Sequence, residues 1–131
     1  MLDLKELIKK LVQRESVVGT VTSASKSINI TSTNIDTYAE GATITLEPGV
    51  YIVTAYGSFT SNTTETNRRV QIFNKTGNSG VVTVSNWDRW YCAHTTTHTV
   101  VLAVSSVLAV RLSAGVALNS CGTYIEAIRI A

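Results

Sequence analysis

From Ser16 to the C terminus, the chain is a succession of short segments rich in β-branched residues, and turn residues separate these segments. The whole sequence contains 19 Thr and 16 Val among its 131 residues. Side chains branched at Cβ are restricted at χ1 and fit a pleated sheet better than a helix. The breaks are clear at Glu47-Pro48-Gly49, at residues 76–80 and at residues 119–122. This pattern predicts an all-β domain.

Ten strands are predicted in this region, and eight to ten strands at such spacing are typical of a sandwich or a barrel. We expect an antiparallel jelly-roll sandwich of about eight to ten strands. The predicted strands are Val17–Thr22, Ser27–Ser32, Thr43–Leu46, Val50–Ser61, Arg68–Asn74, Val81–Ser85, Tyr91–Thr97, Thr99–Ser105, Val107–Ser113 and Thr123–Ile130.

The first 15 residues are a different kind of sequence, because they hold seven of the twenty charged residues. Apolar and charged side chains recur there at helical spacing, and Asp3 followed by Glu6 resembles a capping box. We predict an amphipathic helix over residues 1–15 and a head domain over residues 16–131. The apolar stripe must be buried, either on its own domain or in a seam between identical chains formed by Leu4, Leu7 and Leu11.

Some C-terminal strands are apolar on both faces, since residues 100–104 and 107–110 show no alternation. An antiparallel sheet with one face in water should alternate, and a two-layer sandwich has no third layer to cover a second apolar face. A further subunit would cover it. The other interpretation is that the predicted strands are off by a residue, or that loops of the same chain cover the sheet. We predict a homo-oligomer with interface residues Leu4, Leu7, Leu11, Val101, Val110, Tyr124 and Ile128.

Charge and hydropathy exclude other classes of function. The formal net charge is +2, and the longest basic run is the pair Arg68-Arg69, so we expect no nucleic-acid partner. No apolar run approaches the length of a membrane span, so we expect no membrane insertion. The N-terminal sequence carries acids where a signal peptide carries bases. We expect synthesis in the cytoplasm and then release by lysis or incorporation into a virion.

Chemistry-bearing residues are few. Cys92 and Cys121 can be free thiols or a disulfide, and their spacing does not decide between the two. His94 and His98 would share a strand face, which makes a metal site a remote possibility, and polar residues on a strand are the default interpretation. The sequence lacks nucleophile-elbow and phosphate-loop motifs, and its carboxylates are scattered. We expect a non-enzymatic protein without a cofactor or metal.

Both tryptophans lie in one polar stretch, residues 87–91, called here the aromatic stretch. Aromatic faces stack on the C–H surfaces of sugars, and Asp and Arg side chains hydrogen-bond hydroxyl groups. The stretch is therefore a candidate receptor or glycan contact. The alternative is that Trp87 or Trp90 anchors a subunit interface or closes the end of the sandwich. The candidate ligand-binding residues are Trp87, Asp88, Arg89, Trp90 and Tyr91.

Residues 44–59 place a Pro48-Gly49 turn before an alternating strand, and residues 122–130 form a final strand. Pro presets φ, Gly permits a positive φ, and the odd residues then line one face. The residues of this strand that carry the pattern are Tyr51, Val53, Ala55 and Phe59. This pattern resembles the tumour-necrosis-factor and complement globular-head superfamily of jelly rolls.

The resemblance implies a homotrimer with both termini near its base, similar to phage and prophage tail-fibre tips. We therefore expect a receptor-binding, trimeric head domain attached to a larger tail or baseplate particle, with a cell-surface glycan or protein as its receptor. The alternative is a bacterial structural or self-assembly module of the same fold that has no ligand.

Overall fold

A computed structural model describes residues 3–9 and 18–131. Residues 4–9 form a short helix, and Asp3 caps it. The backbone N–H of Glu6 donates to Asp3 Oδ1 at 2.9 Å, and that of Leu7 donates to the Asp3 carbonyl at 3.1 Å. A capping carboxylate satisfies donors that the first turn leaves unpaired. Residues 10–17, with the predicted boundary between helix and head domain, lie outside the described residues. In the described ranges, no helix is long and apolar enough to cross a membrane.

Eight strands account for most of residues 18–131. Most strands alternate more and less buried positions over at least part of their length, as expected of sheets with one face in the core. In β5 no residue is fully buried, and in β7 none is exposed. The strands are β1 (Val21–Ile30), β2 (Ala39–Leu46), β3 (Gly49–Phe59), β4 (Thr66–Asn74), β5 (Ser79–Asp88), β6 (Cys92–Leu102), β7 (Ser106–Ala114) and β8 (Leu118–Arg129).

The strands form two antiparallel four-stranded sheets that pack face to face. Sheet A has the order β1-β8-β3-β6, and sheet B has the order β2-β7-β4-β5. The chain crosses to the other sheet after every strand except β4, and the first strand pairs with the last, which is the arrangement of a jelly roll. The predicted fold class, an all-β antiparallel jelly-roll sandwich, is confirmed.

Two pairs of predicted strands are single strands in the structure. Of the first pair, residues 21–22 and 27–30 belong to β1, which stays paired to β8 from Val21 to Ile28 without a shift of register. Residues 91–97 and 99–105 contribute to β6, in which every residue faces one residue of β3. The polar residues between the predicted pairs contain no Gly or Pro to end a strand. Backbone pairing therefore continues through them.

The two-sided burial of β7 has its cause within the chain. Ala109 points away from the core and still has no exposed surface. It lies opposite Phe73 in register, and the Arg111 guanidinium lies 4.0 Å from the Phe73 ring and 4.9 Å from the Tyr38 ring. Long side chains of the same chain thus cover this face. Val110 points into the core and is 0% exposed, so the position predicted as an interface residue is a core position.

The two ends of the sandwich are different. At one end, called here the base, Gly19 N–H donates to the Arg129 carbonyl at 2.7 Å and Val50 N–H donates to the Ala131 carbonyl at 2.9 Å. At the opposite, distal end, β3 leads into β4 and β5 leads into β6. Residues 18–20, before β1, and residues 130–131, after β8, therefore lie at the base. The distal loops are residues 31–38, 60–65, 89–91 and 115–117.

Candidate ligand-binding site at the distal end

The aromatic stretch runs from the end of β5 into the β5–β6 loop, and Asp88 shapes the turn between them. Asp88 Oδ1 accepts the backbone N–H groups of Arg89 at 2.7 Å and Trp90 at 3.0 Å. These hydrogen bonds, first that from Trp90 and then that from Arg89, hold the pKa of Asp88 below its ordinary value. Such side-chain-to-backbone turns are a common use of Asp in loops. Asp88 thus positions the two residues that follow it.

The structure separates the five predicted ligand-binding residues. Trp87 alternates away from the core onto the exposed side of sheet B, and its Nε1–H donates to Glu65 Oε2 at 3.2 Å. Tyr91 lies beside Tyr56, where a hydrogen bond between the two side chains raises the pKa of Tyr56. Arg89 and Trp90 remain together in the distal loop. The stretch therefore serves three surfaces instead of forming one site.

Arg89 and Trp90 line a groove of about 450 Å³ together with three residues of the β3–β4 loop, Ser61, Asn62 and Thr63. The two loops are joined where Asn62 N–H donates to the Arg89 carbonyl at 2.7 Å. Trp90 is 64% exposed, and the Arg89 guanidinium carbon lies 4.9 Å from the centre of its ring. This groove is a surface on which an aromatic face and several polar groups converge, as in many ligand sites.

Arg68 supports the groove from inside the sandwich. It is fully buried, and its Nη1–H donates to the Trp90 carbonyl at 2.6 Å. The guanidinium also lies 3.5 Å from Cys92 Sγ and 5.9 Å from the Phe59 ring centre. Among the described residues, its Nε and Nη2 atoms have no hydrogen-bond partner, and no carboxylate lies within 4.0 Å of it. A buried cation therefore fixes the carbonyl of the groove's tryptophan.

The sequence analysis did not find Arg68 or residues 61–63. Arg68 shares a strand face with Val70 and Ile72, and this period of two was a signal for an inward-pointing arginine. Residues 61–63 carry no such signal, because only the topology brings their loop next to residues 89 and 90, which follow more than 25 positions later.

Both cysteines are free thiols. Cys92 lies on β6 and Cys121 on β8, and β3 separates these strands in sheet A. Two strand spacings give a Cα–Cα separation of about 10 Å, which exceeds what a disulfide spans. Burial of Cys121 raises the pKa of its thiol. The free-thiol interpretation agrees with this geometry.

The structure places both histidines on β6. His94 is half-buried, with its ring 6.2 Å from that of Phe59, while His98 is exposed on the same strand. In the part of the chain that the structure describes, no three His, Cys, Asp or Glu side chains come close enough together to hold a metal ion.

Most of the predicted interface residues lie at the surface. Leu4 and Leu7 are 73% and 48% exposed, Val101 is 74% exposed, and Leu11 lies outside the described residues. Tyr124 and Ile128 are half-buried on the outer face of sheet A, the side turned away from sheet B.

The outer face of sheet A also holds apolar residues that the sequence analysis missed. In register, Ile128 lies between Val21 of β1 and Ile52 of β3, which makes an apolar row near the base. Tyr124 lies opposite Tyr56 in a second row, and its hydroxyl donates to Glu126 Oε2 at 2.6 Å. Only the paired sheet brings these residues together, since they come from three separate strands.

The comparisons with known proteins found similarity in fold and none in sequence families. No protein-family model and no curated protein matches the sequence. A chain in the structure of infectious bursal disease virus, Gx strain, is similar with a TM-score of 0.54 and 6% identity, over 86% of this chain and 32% of that chain. Our chain thus spans about a third of the length of the viral one. At this identity the likeness shows a shared fold.

Two further solved structures are similar at lower scores. One comes from Bacillus endospore appendages, described as a novel family of disulfide-linked pili, with a TM-score of 0.46 and 12% identity over 86% of this chain and 91% of that chain. The other is the enzymatically active domain of bacteriophage CBA120 tailspike protein 4, with a TM-score of 0.38 and 14% identity over 83% of this chain and 18% of that chain.

Proposed function

We propose that this chain is a non-enzymatic, homotrimeric head domain of a phage or prophage tail-fibre-like protein, and that it binds a cell-surface glycan through the distal groove. The observation that carries the proposal is the groove itself. It holds an exposed tryptophan, lies at the end of the sandwich opposite the base, and is about 450 Å³ in volume. A domain attached through its base would present this groove outwards.

The chemistry of the groove suits a sugar. The exposed ring of Trp90 offers a flat apolar surface, on which the C–H face of a pyranose can stack. Ser61 and Thr63 supply hydroxyl groups and Asn62 supplies an amide beside it. Two hydrogen-bonded loops of a rigid sandwich hold these groups in place, which limits the ordering cost of binding.

The outer face of sheet A supports the trimer. It presents Val21 and Ile52, which are 56% and 37% exposed, in one row with Ile128, and it presents the tyrosine row beside them. An apolar and aromatic surface of this kind is typical of an interface core. Three copies would place three grooves on one particle, so that weak single contacts add up through multivalency.

The viral setting rests on the fold. Jelly rolls occur in viral capsid and lectin domains, and the likeness to a viral chain agrees with this setting. The closer relationship to the tumour-necrosis-factor and complement heads stays a prediction, as do the larger particle and release by lysis.

Two tryptophan variants test the glycan site on an array and on bacterial cells. Trp90→Ala removes the ring that lines the groove, and we expect it to abolish binding. Trp87→Ala is the matched control, because Trp87 is equally exposed, at 60%, but lies outside the groove. If wild type binds and both variants bind equally well, the groove is not the receptor site. If wild type binds neither glycans nor cells, the ligand-free structural module is the better description.

A further inference from the structure

Some polar groups around the distal groove form hydrogen bonds within the chain and others do not, and the difference between them indicates what the groove can bind. Four acceptors in or beside the groove are occupied. The Arg89 carbonyl accepts from Asn62 N–H at 2.7 Å, and the Trp90 carbonyl accepts from Arg68 at 2.6 Å. Asn62 Oδ1 accepts the backbone N–H of Thr64 at 3.0 Å. Asp88 Oδ1 accepts two backbone N–H groups, as described above.

Three side chains of the groove have unused donors, whereas the Thr63 hydroxyl donates to Asn62 Oδ1 at 3.5 Å. Across the described ranges, the Asn62 side-chain amide N–H groups, the Arg89 guanidinium and Trp90 Nε1–H donate to no protein acceptor. Because Asn62 Oδ1 is held by Thr64 N–H, the amide is oriented and its NH₂ group remains available. The groove therefore offers the Asn62, Arg89 and Trp90 side-chain donors to a ligand that supplies acceptors.

The formal charge of the groove also favours a ligand that supplies acceptors, because it is positive. Of its five lining residues only Arg89 is charged, and among the described residues no carboxylate lies within 4.0 Å of its guanidinium. The stacking of Arg89 on Trp90 restricts the guanidinium plane and leaves its N–H edges unpaired. A planar, oriented guanidinium matches the paired oxygens of a carboxylate or a phosphate. Beneath it, buried Arg68 adds a second positive charge without an ion-pair partner within 4.0 Å in the described chain.

We infer that the ligand of the groove is a glycan unit that carries an oxyanion, either a carboxylate or a phosphate. Arg89 binds the oxyanion, the free surface of Trp90 stacks on the sugar ring, and the Asn62 amide donates to ring or hydroxyl oxygens. This inference rests on the proposed glycan-binding function and narrows its class of ligand. It adds that neutral sugars bind poorly, because they leave the guanidinium without an anion.

Three sugars that share a ring and differ at C6 test the inference: galacturonic acid, galactose 6-phosphate and galactose, with the corresponding glucose series beside them. The Trp90 indole N–H resonance reports binding to the intact protein in an NMR titration. We expect the charged sugar of one series to bind about tenfold or more tightly than its neutral counterpart, since hydrogen bonds to charged groups are the stronger ones. The carboxylate and phosphate arms identify which oxyanion is preferred.

Arg89→Gln keeps hydrogen-bonding groups but removes the charge, and we expect it to abolish the preference for the charged sugar. Lys26→Gln is the matched control, because it removes one exposed positive charge from β1, which does not border the groove. The preference should also weaken as salt concentration rises.

Equal binding of charged and neutral sugars, or an unchanged preference in Arg89→Gln, would overturn the inference. So would a lack of any Trp90 shift with all six sugars. The proposed function is tested separately: it fails when wild type binds neither glycans nor cells, or when Trp90→Ala leaves binding to cells unchanged.

Discussion

Arg68 places a permanent positive charge inside the sandwich. Burial of an ion costs several kcal/mol unless it is paired. The Trp90 carbonyl at 2.6 Å and the face of Phe59 offset only part of this cost. A residue with such a cost for folding is a natural candidate for a positioning role, and here it holds the backbone of Trp90.

Arg68→Met should separate the cost of burying this charge from its role in positioning Trp90. We expect its free energy of unfolding to stay at or above the wild-type value, because an apolar side chain of similar length removes the desolvation cost of the ion, by about 1–4 kcal/mol in comparable cases. We expect weaker ligand binding, because the Trp90 carbonyl loses its donor. Urea unfolding and the Trp90 titration measure the two quantities.

Arg69→Met is the control for Arg68→Met. Arg69 lies on the other face of β4, where it forms a surface ion pair with Asp36 at 3.1 Å. We expect a change in unfolding free energy below about 1 kcal/mol and unaltered binding. A loss of several kcal/mol in Arg68→Met would mean that the arginine is needed for folding itself.

Gly57 lies where the two sheets approach too closely for a larger side chain. A Cβ at this position would lie 2.5 Å from Leu112 Cδ2 and 2.7 Å from Val70 Cγ2 of the facing sheet. We expect Gly57→Ala to destabilise the fold by about 1–3 kcal/mol, as overpacking does. Gly77→Ala should be nearly neutral, because the nearest atoms to its Cβ would be 3.6 Å away. Equal urea midpoints for the two variants would contradict the close approach of the sheets at Gly57.

At the scale of elements, the strand ends that the sequence predicted well are those at which the backbone needs a special residue. The Pro48-Gly49 turn ends β2 and begins β3, and residues 75–78 separate β4 from β5. The errors in β1 and β6 arise where polar side chains interrupt the apolar pattern. A polar side chain does not stop backbone pairing, so a pattern of side chains cannot mark these ends.

The groove belongs to two such elements, the β3–β4 and β5–β6 loops, and only part of it was predictable. Arg89 and Trp90 were conspicuous, because aromatic residues are rare in this chain. Their partners at 61–63 are ordinary polar loop residues, and the jelly-roll order alone makes them neighbours. For the same reason, Trp87 and Tyr91 could not be assigned to other surfaces before the strand register was known.

The turn at Asp88 makes the β5–β6 loop sensitive to acid. The pKa of Asp88 is lower in the folded chain than its ordinary value, so its carboxylate favours the ordered turn above the ordinary pKa. That contribution is lost as pH falls through the lowered folded value. We expect the Trp90 indole resonance to shift over this acidic range. Asp88→Asn should remove the transition, because an amide oxygen accepts the same two N–H groups without titrating. A transition that persists in this variant would assign the effect to another group.

At the scale of the molecule, the exposed apolar row on sheet A is the feature that a single protomer leaves unexplained. Three protomers of 14.1 kDa would give a light-scattering mass about three times that value. We expect Ile52→Lys to lower this mass to that of one chain, because it places a charge in the apolar row. Thr45→Lys, on the exposed side of β2, should remain trimeric.

A wild-type mass near 14.1 kDa would refute the trimer. A trimer that persists in Ile52→Lys would move the interface away from the outer face of sheet A. Unfolding curves for both lysine variants show whether a change of mass reflects lost association or lost folding.

The hydrogen bond between Gly19 and Arg129 means that the sandwich begins and ends at nearly the same point. A domain with adjacent ends can be spliced into a surface loop of an unrelated protein through two short linkers, with little distortion of either partner. The distal loops lie at the far side of such a fusion. The domain is therefore suited to use as an insertable binding scaffold. Residues 61–63 and 89–90 can be randomised to select new binding specificities while the strands stay constant.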